Sequence, residues 1–217
     1  MSDQPSREGR NLNALLDVAK ALGAEMQLDN LLPVIISKTT EVIDAERSSL
    51  FIYDEETNEM WSKVAEGMDS KEIRFPVGVG IAGDVAKTLK TVNIPDAYKD
   101  DRFNPAFDKE TNYRTKSILC MPMLNNEGAL VGVVQVLNKK DGSTFDDKDE
   151  SLLEALSVQA GVAIQRARLL EAFVEKQRIQ ESLKLAADIQ MGMLPKDFPA
   201  FPDRDDFDLF ASIIPAK

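Results

Sequence analysis

The chain has 217 residues, 43 % of them apolar and 29 % charged, with 37 acidic against 26 basic residues and a net charge of −11. That length buries one good core with an appended helical piece. The acidic balance, without a basic cluster, argues against a nucleic-acid partner, whose backbone is held by arrays of Lys and Arg, and the absence of histidine removes imidazole-ligated haem and zinc and the Ser-His and Cys-His nucleophile pairs.

Taken in chain order, the first ten residues are polar, and no stretch approaches the roughly 20 apolar residues of a spanning helix, so a cytoplasmic chain without a membrane anchor is expected. Leu12, Leu15, Leu16, Val18, Ala19 and Leu22 form a helical stripe between Asn11 and Ala24. Asp29 has the chemistry of a helix cap and opens a second helix to Ile43, with Pro33 tolerated as a first-turn residue. Ser48–Tyr53 and Glu59–Ala65 are β-prone runs joined by the hairpin loop Asp54–Asn58. After Ile73–Pro76, the glycines at 78, 80 and 83 lead into a short helix ending at Thr88; its Ile81, Ala82 and Gly83 amides would favour an anion at the helix start. A strand Thr91–Ile94, a polar segment Pro95–Thr115, and strands Ser117–Leu124 and Leu130–Leu137 joined by Asn125–Gly128 follow. Cys120 lies in an apolar run and reads as a buried strand residue rather than a nucleophile. A helix from Phe145 to about Asp188 completes the order. Six strands with hairpin-length connections and helices at both ends predict an α+β sandwich, a six-stranded antiparallel sheet covered on one face.

The sharpest motif runs from the end of one strand into this last helix: Asn138-Lys139, then Phe145, then Asp149-Glu150. Lys139 and Asp149 can pair across the loop while Phe145 plugs the sheet, and the acidic run Asp146 to Glu150 suits a helix N-terminus. The stretch resembles the signature of cyclic-nucleotide-binding GAF domains, a PAS-like sandwich. A salt bridge and an aromatic plug would serve equally in such a domain with no ligand. The resemblance covers about Leu31 to Ala167 and includes Ser48-Ser49-Leu50-Phe51, Gly80-Ile81-Ala82-Gly83, Asn93–Tyr98 and Tyr113–Cys120, all similar to GAF segments of phosphodiesterases and adenylyl cyclases. It implies that Ser49 and Glu66 meet the purine, that Ile81 and Ala82 offer main-chain contacts to the phosphate, and that Asp108, Thr111 and Thr115 belong to a lid over ribose and base. Gln135 stands where a carboxylate is common, and Ala65 where an aromatic often stacks on the base, a contact worth roughly 1–3 kcal/mol. The ligand implied is cAMP or cGMP; no catalytic residue, metal or further cofactor is implied for this stretch.

From Leu152 onward, Leu156, Ala160, Ala163, Ala167, Leu170, Val174, Leu183, Ala186 and Ile189 make a long amphipathic seam that turns narrow and charged-flanked after Glu171, the pattern of a two-stranded coil. A homodimer through this helix, aided by the N-terminal one, is expected. The stretch Leu185–Pro195 and the run Phe207–Ala216 resemble the entry of bacterial metal-dependent serine phosphatases of partner-switching pathways. The Gly-Gly-Asp expected next lies past Lys217, so the chain as given is expected to have no phosphatase activity. The organisation implied is an N-terminal helix (1–27), a GAF sensor (28–165), a signalling helix (166–193) and the start of a phosphatase (194–217), a relay from ligand to effector and its downstream partner. The alternative is a ligand-free GAF domain serving as a dimerisation module.

Overall fold

The computed structural model of the chain describes residues 7–62, 73–192 and 206, with backbone alone for residues 7–13. Two helices come first, α1 (Arg7–Ala24) and α2 (Leu28–Ile43), followed by β1 (Ala45–Asp54), β2 (Glu59–Ser62) and β3 (Ile73–Pro76). Then come α3 (Gly80–Thr88), β4 (Val92–Ile94), a 3-10 turn at Ala97–Lys99, α4 (Ala106–Thr111), β5 (Ile118–Leu124), β6 (Leu130–Lys139) and α5 (Asp147–Gly192). The six strands form one sheet in the order β3-β2-β1-β6-β5-β4, and every neighbouring pair is antiparallel.

The sheet is covered on both faces rather than one. Because side chains alternate along a strand, β1 sends Leu50 and Ile52 into a core with α1, α2 and α5, while Phe51 enters a second core with α3. The first core also takes Leu31, Ile35 and Ile43 of α2 and Leu153, Leu156 and Ile164 of α5; the second takes Ile81, Val85 and Ala86 of α3 with Met60, Ile118, Cys120 and Val133 of the sheet. A nine-residue helix after a glycine-rich loop gives too short an apolar period to announce which face it covers. The thiol of Cys120, fully buried in this second core, is pushed well above its ordinary range by burial, which removes it from nucleophilic chemistry.

The start of α2 departs from expectation. The helix begins at Leu28 with Gln27 as N-cap and no side-chain cap. Glu25 instead accepts from the Met26 and Gln27 amides just upstream, at 2.9 and 3.0 Å. Burying Leu28 in the core decides this over the capping chemistry of Asp29. Pro33 therefore falls in the second turn, where its ring costs the helix one internal bond.

Helix α5 is fixed at its start by a reciprocal capping arrangement. Asp146 Oδ1 accepts from the Lys148 and Asp149 amides at 3.0 Å each, and Asp149 Oδ2 accepts from the Asp146 amide at 3.0 Å. Gly161 sits where a Cβ would collide with the Leu124 carbonyl oxygen, so its lack of a side chain sets how closely the helix approaches the sheet. Arg166 then closes α1, donating to the carbonyls of Leu22 (2.7 Å), Gly23 (3.3 Å) and Glu25 (2.6 Å), which the helix end leaves without internal partners. The α1 stripe thus serves its own domain: Val18 and Leu22 are buried, and Leu16 alone among its described leucines is exposed.

The chain divides into two compact units between Arg168 and Leu169. In the second, the described part of α5 carries Leu169, Leu170, Phe173, Val174, Leu183 and Ile189 exposed, Phe173 at 58 %. Among the described residues no helix is long and apolar enough to cross a membrane.

Candidate functional site

A cavity of about 270 Å³ opens on the α3 face of the sheet, at the small end of ordinary ligand pockets. Its floor is the central strand pair, where Ser49 of β1 stands directly across from Gln135 of β6. One wall is the start of α3. Gly80, which opens this helix, has φ +69°, a conformation that suits glycine, and the preceding Gly78 has φ +92°. The amides at the helix start belong to Gly80, Ile81 and Ala82, while Gly83, the fourth helical residue, falls inside the helix's own ladder. Ile81 and Ala82 are buried and line the cavity.

The lid segment closes the opposite side. Asp108 of α4, Thr111 and Thr115 all line the cavity, but all three side chains, expected to reach for a ligand, are occupied within the lid. Buried Asp108 accepts from the Thr115 amide (2.7 Å), the Thr115 hydroxyl (2.7 Å) and the Tyr98 hydroxyl (3.0 Å). Thr111 donates to the Phe107 carbonyl at 2.8 Å. Asp108 is therefore a latch holding the lid in shape. The Tyr98 hydroxyl is correspondingly held above its ordinary range, by desolvation first and by the Asp108 bond second.

Seven of the eight expected ligand residues, Ser49, Ile81, Ala82, Asp108, Thr111, Thr115 and Gln135, thus surround one cavity; Glu66, like Ala65, lies outside the described residues. The cavity also holds residues not named from the sequence. Arg47, Arg74 and Arg102 line it, with Asp108 the one lining carboxylate among the described residues, although Arg74 and Arg102 are met by carboxylates behind the wall. Arg102 is clamped by Asp100 (2.9 and 2.6 Å) and by Asp84 of α3 (2.6 Å), tying the lid to that helix; its guanidinium holds its proton more tightly, chiefly through the Asp100 bond. Arg74 pairs with Asp54 at 3.2 Å. Arg47 stacks on the Tyr113 ring, 3.9 Å from its centroid, and has no ion-pair partner among the described residues. Phe51, Phe75, Phe103 and Phe107 add aromatic surface, Phe51 and Phe75 meeting edge to face at 5.1 Å. A period of two would have found part of this: once Ser49 faces the cavity, Arg47 and Phe51 share its side of the strand.

The Asn138–Glu150 motif lies outside this cavity and braces its frame. Asn138, at φ +51°, has Oδ1 accepting from the Lys116 and Ser117 amides (2.7 and 3.1 Å) and Nδ2 donating to Glu46 and to the Arg114 carbonyl (2.9 Å each). All four of its hydrogen-bonding positions are filled, and the chain leaving the lid is pinned. Glu46, which also accepts from Tyr113 at 2.8 Å, is held below the usual carboxylate range, by the Asn138 bond first and the Tyr113 bond second. Buried Lys139 donates to both oxygens of Asp149, at 2.7 and 2.8 Å. Phe145 is buried in the first core, and Glu150 accepts from Asn93 of β4 at 2.7 Å.

This sandwich and its lidded cavity define the class of domain, and the chain belongs to the GAF family: the GAF domain model matches residues 27–164. The chain is 37 % identical over 178 residues to the dual 3′,5′-cyclic-AMP and -GMP phosphodiesterase 11A of Takifugu rubripes, covering 76 % of this chain and 20 % of that protein. It is 34 % identical over 190 residues to the cGMP-specific 3′,5′-cyclic phosphodiesterase of Drosophila melanogaster, covering 80 % of this chain and 17 % of that one. The chain spans 25 % or less of the first curated relatives it matches. Among solved structures, it is similar to the GAF domain of a phosphoenolpyruvate-protein phosphotransferase from Coxiella burnetii (TM-score 0.68, 22 % identity, covering 77 % of this chain and 99 % of that one). It is also similar to a free methionine-R-sulfoxide reductase from Neisseria meningitidis (TM-score 0.63, 16 % identity, 78 % and 96 % covered). Such neighbours share the fold, and the fold alone does not choose a function.

Proposed function

We propose that the cavity binds a cyclic nucleotide, cAMP or cGMP, and that the domain is a regulatory sensor. The observation that carries this reading is convergence: residues from β1, α3, the lid and β6, far apart in the chain, line one pocket whose charged side chains are mostly arginine. An anion gains from the α3 helix start and from Arg47, which has no ion-pair partner among the described residues, and the aromatic rings supply a surface on which a base can stack despite Ala65. The names of the relatives support the choice of nucleotide, since they are enzymes of cyclic nucleotides. Among the described residues no side chain fills the cavity, which weighs against a ligand-free role. Ligand would favour the closed lid and so shift the population of a two-state domain.

In the full reading, a GAF sensor over residues 28–165, preceded by an N-terminal helix (1–27), passes this shift along a signalling helix (166–193) to a metal-dependent serine phosphatase beginning at 194–217, in a cytoplasmic bacterial partner-switching pathway. The relay works through a homodimer. Leaving side chains such as Leu170, Val174, Leu183 and Ile189 in water forgoes roughly 1.5–3 kcal/mol for each one buried. Replacing Leu170 and Val174 by Asp should turn a dimer into a monomer in light scattering; a wild-type chain monomeric at tens of micromolar overturns the relay. For the ligand, calorimetry with cAMP and cGMP is the test. Binding that raises the melting temperature and is lost in Ser49→Ala/Arg47→Ala is expected, and silence from both nucleotides at millimolar concentration refutes the cyclic-nucleotide reading.

A further inference from the structure

A second cleft, of about 320 Å³, lies outside the sheet-face cavity and shares with it only Thr115. One side is the segment Arg114–Ser117 leaving the lid, another the turn Gly142–Thr144 between β6 and α5, and the β4 exit at Asp96 completes it. Arg114 and Lys116 bring exposed cationic groups to the cleft, and Arg114 is steadied by the Tyr98 ring, 3.6 Å from its centroid. Lys139 also lines it, but its charge is met by Asp149. Asp96, the one carboxylate lining the cleft among the described residues, is paired with Lys99 at 3.0 Å.

Ser117 makes the cleft more than a basic surface. The residue is 2 % exposed, yet among the described residues its hydroxyl has no hydrogen-bond partner, while Asn138 holds the amides of Lys116 and Ser117 and the carbonyl of Arg114. No buried side-chain polar atom among the described residues lacks a partner, so this hydroxyl reaches solvent at the cleft wall. The wall that carries it is fixed before any ligand arrives, and exposed Thr144, whose hydroxyl has no partner among the described residues, also lines the cleft. Two cationic side chains and two hydroxyls without partners among the described residues, all lining one cleft, match a small tetrahedral oxyanion, which accepts several hydrogen bonds and carries charge.

We propose that this cleft is a second ligand site, taking a small oxyanion of the phosphate class, either free or as the phosphate of a monoester. It stands independently of the cyclic-nucleotide reading. Because Thr115 is both the anchor of the Asp108 latch and a wall of the cleft, an anion held here touches the lid from behind, and any effect on the cavity is reciprocal.

The test is an amide NMR titration of the full chain with inorganic phosphate and, separately, with phosphoserine, against chloride at matched ionic strength. Saturable shifts at Lys116, Ser117 and Thr144 in the millimolar range are expected from phosphate, with phosphoserine acting on the same amides if a monoester is accepted and leaving them unmoved if the site takes the free ion. Lys116→Glu, on an exposed side chain, should raise the half-saturation point at least tenfold with the melting temperature unchanged, and Ser117→Ala several-fold. Shifts that grow linearly and equally with chloride, that persist in Lys116→Glu, or that fall only on Gly80, Ile81 and Ala82 overturn the proposal. Loss of cAMP and cGMP binding in Ser49→Ala/Arg47→Ala leaves these shifts in place, so the two readings fail separately.

Discussion

If Asp108 latches the lid, Asp108→Ala should free the lid without unfolding the sheet. The side chain receives three hydrogen bonds, from the Thr115 amide, the Thr115 hydroxyl and the Tyr98 hydroxyl, and bonds to a charged group are worth roughly 1.5–3 kcal/mol each. Their sum overstates the effect, because an opened lid returns its donors to water. Allowing water to recover about half of the lower-bound total leaves on the order of 2 kcal/mol. That is a factor of about 30 in the ratio of open to closed lid. Native-state amide exchange reads this ratio directly. The Tyr113 amide, bonded to the Asp108 carbonyl at 3.0 Å, and the Thr115 amide should exchange about 30-fold faster, by that same ratio. The amides of Val133, Val134 and Val136 in β6 should keep their wild-type rates. Asp108→Asn separates geometry from charge: its amide oxygen can take the place of Oδ2 and its NH2 can donate to the Thr115 hydroxyl, so all three bonds survive and the lid should stay largely closed. Unchanged exchange at Tyr113 and Thr115 in Asp108→Ala, or equal acceleration in β6, refutes the latch.

The buried Lys139–Asp149 pair should show the asymmetry of internal ion pairs: Asp149→Ala alone strands a buried ammonium and costs about 3–5 kcal/mol in denaturant unfolding, whereas Lys139→Met/Asp149→Leu restores most of it. A double variant as unstable as the single one would mean that the α5 capping bonds of Asp149, rather than its charge, dominate. Gly161→Ala forces α5 off the Leu124 carbonyl, an overpacking of about 1–3 kcal/mol that should lower the melting temperature by several degrees; an unchanged melting temperature would show that the helix shifts freely. Glu46 titrates lower in the folded state than its ordinary 4.5, so its stabilisation is fully present above that value and is lost as pH falls through the depressed one. Glu46→Gln should therefore lose that contribution at neutral pH and flatten the acid limb of the melting profile, the two proteins converging as pH falls through the depressed value; parallel wild-type and variant profiles across that limb count against it.

Much of the fold is legible in the sequence because it rests on local period. The β-prone run of β1, the three-and-four spacing of α5 and the acidic helix start at Asp146–Glu150 each follow from side chains within a few positions of one another. What escapes is decided across the chain. Asp29 has the better capping chemistry, yet the helix starts at Leu28 because that residue is buried. The second face of the sheet is covered by α3, whose nine residues carry no periodic signal strong enough to say which side they take.

The site divides along the same line. Position in a family pattern brings Ser49, Ile81, Ala82, Gln135 and the lid residues to one cavity, but a carboxylate seven residues from a threonine reads equally as a ligand contact or as a latch. Only the distance from Asp108 to Thr115 and Tyr98 separates the two. With Asp108 satisfied and the Thr111 hydroxyl returned to its own helix, the lid supplies enclosure, and direct recognition falls to the sheet and α3. There Gln135, placed across from Ser49, offers both a donor and an acceptor. A carboxylate at that position accepts only. If the cavity takes a cyclic nucleotide, an amide can turn either end toward a base, so Gln135 would accommodate two opposite hydrogen-bonding edges where a carboxylate would select one, and the discrimination between purines would have to come from its neighbours on the cavity floor.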